Sequence, residues 1–103
     1  MFSRGVVEGR LIQGENERIA YQITTTPWGS SPSSPTFKLW EITAGVWTDV
    51  TLTKTSGAPS VLGDVITLPL VVSLVADHMY RGVAQFVSGG NTFEAYFEIQ
   101  AEK

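Results

Sequence analysis

Residues 80–99, YRGVAQFVSGGNTFEAYFEI, hold a complete β-hairpin whose register is legible in the residue order. Two alternating runs flank Gly89 and Gly90, a dipeptide able to take the positive φ angles of a two-residue hairpin turn. Pairing outward from that turn sets Phe86 opposite Phe93, Ala84 opposite Ala95, Gly82 opposite Phe97 and Tyr80 opposite Ile99, an apolar face. The other face pairs Val87 with Thr92, Gln85 with Glu94, Val83 with Tyr96 and Arg81 with Glu98, which places polar partners and one opposite-charge pair toward water. A slip of one residue would exchange the faces of one strand, so the pattern selects this register.

Upstream, further short strands separated by turn signals are expected. GVVEGRLIQ (residues 5–13) is a first strand, with Val7 and Leu11 on one side, and RIAYQITT (18–25) a second, in which Ile19, Tyr21 and Ile23 alternate with polar or small residues. TPWGSSPSSP (26–35) has three prolines, four serines and a glycine in ten residues and reads as a long loop carrying Trp28. In TFKLWEI (36–42), Phe37 and Leu39 face the core and Trp40 lies at least partly outside. Ala44 and Gly45 turn the chain into VWTDVTLTK (46–54), a β-branched stretch suited to an edge strand and carrying Trp47. Residues 55–60 are loop, and a turn at Gly63 and Asp64 separates SVL from VITLPL (65–70). A helix through 68–79 is the rival reading there, since Leu70 and Leu74 keep helical spacing. Pro69 and the valines favour strand followed by loop.

The 103 residues allow one domain with a single core, so 1–103 is taken as one unit. Hydrophobic residues make up 43% and charged ones 17%, a globular and not a disordered balance. The formal charge of −3 argues against a general nucleic-acid binder, which needs a basic surface, and Arg4, Arg10 and Arg18 are interleaved with Glu8, Glu15 and Glu17. With no cysteine, disulfides, thiolate chemistry and cysteine zinc sites are excluded. The amino-terminal residues lack the apolar core of a signal peptide. The longest apolar run, residues 65–76, is interrupted by Pro69 and shorter than the roughly 20 residues that span a bilayer. The expectation is a soluble chain, cytoplasmic in the producing cell or part of a virion, with no membrane insertion.

LVADHMYRGVAQF (residues 74–86) resembles the tyrosine corner of fibronectin type III and other immunoglobulin-like sandwiches, with a leucine six residues before the tyrosine that opens an alternating strand. The resemblance implies an all-β, antiparallel immunoglobulin-like sandwich of seven to eight strands, in which the Tyr80 hydroxyl bonds backbone close upstream. The strand count and turn spacing lead to the same architecture independently. QGENERIAYQITTTPWGSSP together with MYRGVAQFVSGGNTFEAYFEI is similar to small immunoglobulin-like proteins encoded among phage and prophage structural genes. That similarity implies a virion-associated structural role, and its motifs are turns and core patterns with no active site.

Three function classes remain. For an enzyme, His78 is the only histidine, and Asp64 or Asp77 could nominally join it in a relay with a serine. No nucleophile elbow accompanies them, and a solvated loop histidine is the plainer expectation. Asp49, Asp64, Asp77, Glu8, Glu15 and Glu17 match no known metal loop and read as turn and surface acids. For a glycan-binding module, Trp28, Trp40 and Trp47 are the candidate platforms, the last two sharing a sheet face with Tyr96. For an interaction module without chemistry or cofactor, the same tryptophans are candidate anchors for a protein partner or a second copy. This third class is the expectation adopted, with sugar binding as its alternative.

Overall fold

The computed structural model describes residues 2–25 and 31–103, with side chains described from Leu11 onward. Around the hairpin, β1 (Phe2–Gly14), β2 (Ile19–Thr24), β3 (Ser33–Thr43), β4 (Val46–Asp49), a one-turn helix α1 (Thr51–Lys54), β5 (Thr55–Ser56), β6 (Ser60–Leu62) and β7 (Val65–Val71) precede β8 (Met79–Ser88) and β9 (Asn91–Glu102). They form two packed sheets, ordered β1-β9-β8-β3-β4 and β2-β7-β5, with β6 also paired to β7. The fold is an all-β sandwich, and its strand order is compatible with an immunoglobulin-like one.

Every pair expected in the hairpin is present, from Tyr80 opposite Ile99 to Val87 opposite Thr92. Gly89 and Gly90 take φ of +58° and +81°, the left-handed turn that joins twisted antiparallel strands with least strain. The inward face of β8 and β9 supplies Tyr80, Ala84, Phe86, Phe93, Ala95, Phe97 and Ile99, all buried, against Ile23, Ile66, Leu68 and Val71 of the opposite sheet. Phe97 is central. Its ring lies 5.2 Å from Tyr21 across the sandwich and stacks at 6.1 Å and 11° on Phe37. It also lies over Gly82, where an added Cβ would stand 2.6 Å from Phe97 Cζ and 2.9 Å from Phe37 Cε1. Glycine is needed there for space.

Four expectations are corrected. Nine strands form among the described residues where seven or eight were expected. The cause is Pro69, which lies inside β7. A proline cannot donate to a ladder. Against β2 the register shifts between Ala20/Leu70 and Gln22/Thr67, leaving Leu68 and Pro69 opposite Tyr21 as a bulge. On the other side the ladder is interrupted at the same place, so the edge divides into β5, paired at Val71 and Leu70, and β6, paired at residues 65–67. Second, the sandwich is not wholly antiparallel, because β1 runs parallel to β9. β1 must deliver the chain to Ile19, which pairs with Val71 at the far end of β7, and that is the end at which β9 finishes. Third, β3 begins within the expected loop, at Ser33, with a register shift between Ser33 and Thr36 that accommodates Pro35. Fourth, the expected strand over 46–54 breaks after Asp49. The Asp49 carboxylate accepts from the Thr51 amide (3.0 Å) and hydroxyl (2.6 Å), and the chain turns through α1 to cross to the other sheet.

Phe97→Ala should lower stability by about 3–5 kcal/mol, because the lost ring leaves a cavity between both sheets. Gly82→Ala should cost about 1–3 kcal/mol by overpacking the same place. Thermal melts of the two variants and of Tyr96→Ala, which alters the outer face, check this; a larger loss at Tyr96 than at Phe97 would contradict it.

Candidate functional site

Even-numbered side chains of β8 and odd-numbered ones of β9 face the core, so the odd side chains of β8 and the even ones of β9 lie on the outer face of the five-stranded sheet, where Trp40, Trp47 and Tyr96 gather. Three cross-strand rows run over it. One joins Asp49, Trp40, Arg81 and Glu98; the next joins Trp47, Ile42, Met79, Gln100 and Ile12; a third joins Lys38, Val83 and Tyr96. Antiparallel neighbours in such rows are close enough for long side chains to touch.

Arg81 is the hub. Its guanidinium lies 5.0 Å from the Trp47 ring centroid and 4.5 Å from that of Tyr96, both within cation–π range, and Nη2 donates to Glu98 Oε2 at 3.0 Å. Trp47 meets Trp40 edge-on at 6.3 Å and 64°. Trp40 is half-buried in this packing, while Trp47 is 47% exposed and Ile12, in its row, 60%. Trp40, Trp47 and Tyr96, read from the sequence as sharing an exposed face, are thus brought together. Trp28 lies outside the described residues. Arg81 was legible as an ion-pair partner of Glu98, but its stacking role needs β3 and β4 beside β8, which no local pattern announces.

A second cluster closes the end of the sandwich. The Val75 amide donates to the Tyr80 hydroxyl at 2.9 Å, as the tyrosine-corner resemblance implies, and that hydroxyl donates to Glu41 Oε2 at 2.8 Å. His78 Nδ1 lies 3.1 Å from the same oxygen. His78 is therefore not the solvated loop residue expected, because the corner folds it back onto Glu41. Glu41 belongs to no motif in the sequence. Its signal was present, since it continues the inward phase of Phe37 and Leu39, where a carboxylate needs partners. The hydrogen bond from His78, then that from Tyr80, holds its carboxyl below the usual range, against the opposing effect of burial. Tyr80 is pushed up to about 12, chiefly by burial.

The acids noted in the sequence that lie among the described side chains are dispersed, and the Glu8 side chain lies outside them. Asp49 caps Thr51, Asp64 accepts from the Ser31 amide at 3.0 Å, and no group of three or more His, Cys, Asp or Glu able to hold a metal occurs among the described residues. No described helix is long and apolar enough to cross a membrane. No protein-family model matches the chain, and no curated protein is significantly similar to it.

Tyr80→Phe should fold but lose about 1–2 kcal/mol, the net worth of a hydroxyl held by two hydrogen bonds, one of them to a carboxylate. A melt indistinguishable from wild type would contradict the corner's role. The pH dependence has a definite sign. Glu41, with its folded pKa depressed, contributes stability that is present above the ordinary carboxylate range and is lost as pH falls through the folded value. Tyr80 and Tyr21, both raised to about 12, contribute stability that is complete below the ordinary 10.0 and lost as pH rises toward 12. Melts of wild type and Glu41→Gln across the acid range should show a shallower acid limb in the variant.

Proposed function

We propose that this chain is a non-enzymatic interaction module, a virion-associated head, neck or tail protein of a phage or prophage, that docks on protein through the outer face of its five-stranded sheet. The observation that carries this reading is the Arg81 stack, which holds Trp47 half-exposed at the sheet edge between Trp40 and a guanidinium. Aromatic and arginine side chains of this kind are the usual anchors of protein interfaces, and holding them in one geometry beforehand reduces the ordering cost of binding. The phage assignment draws on the sequence resemblance stated above.

Carbohydrate binding is the second reading, and the exposed indole of Trp47 is what favours it. It is the weaker reading on geometry. A sugar stacks on an open ring face, and Arg81 already covers one face of both Trp47 and Tyr96, while Trp40 stands at 64° to Trp47 and makes no coplanar platform.

Co-sedimentation with cognate particles and binding to a glycan panel, each with wild type, Trp47→Ala and Trp28→Ala, separate the two. Particle association that weakens about tenfold or more in Trp47→Ala, with no glycan signal, is the expected result for an interface anchor. A protein that ignores particles and binds a sugar through Trp47 would establish the second reading instead. Neighbouring capsid, portal or tail genes would further support the first.

A further inference from the structure

β4 is the outermost strand of its sheet, and all four of its residues are exposed. The backbone phase along it can be read from the structure. The Val50 amide donates to the Leu39 carbonyl at 2.9 Å, which makes 39/50 a hydrogen-bonded pair and, by antiparallel alternation, 41/48 and 43/46 as well. The N–H and C=O of Trp47 and Asp49 therefore point away from β3, toward the open edge. β4 is short, four residues, and carries one acid, Asp49, but it has no proline, lysine or bulge.

We propose that this edge pairs with a second copy of the chain, β4 antiparallel to β4 about a twofold axis through Thr48, making one continuous sheet of the two five-stranded ones. The proposal rests on the reading of the chain as an interaction module and names the partner for one of its surfaces. With Thr48 opposite Thr48, Trp47 of each copy is opposite Asp49 of the other. All four outward backbone groups on each strand then find partners, in the alternation an antiparallel ladder requires. A register centred on Trp47 or Asp49 would leave some of them unmatched.

The side chains agree with this register. It sets Asp49 of one copy beside Trp47 of the other, on the same outer face as Arg81, whose guanidinium lies 5.0 Å from the Trp47 ring, so the acid is added on the side of the sheet that carries the cation. It also sets Val46 opposite Val50 of the other copy, next to Leu52. Val46 is 63% exposed and Leu52 97%, two apolar side chains with little cover in the single chain that would come together in the pair. Because Trp47 repeats on both sides of the axis, the outer aromatic face becomes twice as wide.

The chain contains no cysteine, so a single introduced thiol reports the register without interference. Residues facing each other at a non-hydrogen-bonded antiparallel position have Cα atoms about 4.5 Å apart, within disulfide reach. Thr48→Cys, mildly oxidised, should give a covalent dimer on the order of tenfold or more faster than Leu62→Cys, an exposed control on the other sheet, because pairing raises the local thiol concentration. Both variants are first checked for a wild-type melt. Sedimentation of wild type should show a concentration-dependent dimer that Thr48→Lys, placing two like charges on the axis, dissociates. Equal cross-linking of Thr48→Cys and Leu62→Cys, or a wild type that is monomeric throughout, would overturn the proposal. A monomer that still binds particles through Trp47 would do so while leaving the interaction-module reading intact. A dimer that ignores particles would support the pairing and count against the virion role.

Discussion

The contact of the Phe97 ring with the bare backbone of Gly82 is the constraint on which the rest of the sandwich depends. A ring of this size can sit between two sheets only if one strand yields the room, and Gly82 does so directly opposite it in the hairpin register. From that position Phe97 touches Phe37 on its own sheet and Tyr21 on the other. One apolar side chain thereby links β3, β8, β9 and β2. Hydrophobic contacts of this kind are close-packed and tolerate little change in volume, which is why the position opposite must stay without a Cβ.

Polar ties then fasten the ends that apolar packing leaves undirected. Gln13 is wholly buried; its amide nitrogen donates to the Val71 carbonyl at 2.8 Å and to that of Glu17 at 3.0 Å, and its oxygen accepts from the Tyr21 hydroxyl at 2.8 Å. A side chain of β1 thus satisfies backbone on the opposite sheet and closes the turn into β2. Tyr80 closes the connection into β8, through Val75, and joins it to Glu41 of β3. A buried polar group left unpaired is costly, so each tie permits one arrangement of its loop and penalises the others.

With the core so determined, the outer face of the large sheet is free to carry function. Arg81, Trp47, Trp40 and Tyr96 come from four different strands and are aligned by register alone. Their mutual stacking gives a surface anchor a set geometry. That surface ends at β4, which carries Trp47 and is the outermost strand of its sheet. On the function proposed above, face and edge are the two surfaces through which the chain assembles.

Residue order alone is enough for the hairpin, since alternation has a period of two and a two-residue glycine turn admits one register. The inward phase of Phe37 and Leu39 and the partly outward placing of Trp40 were legible in the same way, and the tyrosine corner through its resemblance, because each depends on residues close in the chain. The direction of β1, the division of the β5 and β6 edge at Pro69, the turn at α1, the burial of Gln13 and the Glu41 clamp arise from packing between distant elements. Each of these joins residues on separate elements, Gln13 to Val71 or His78 to Glu41, and a lone polar residue in a strand carries no local mark of the partner that will satisfy it. The same holds for the candidate site. Three of its aromatic residues were legible as candidates for one outward face, but that one arginine gathers them is a consequence of which strands lie side by side.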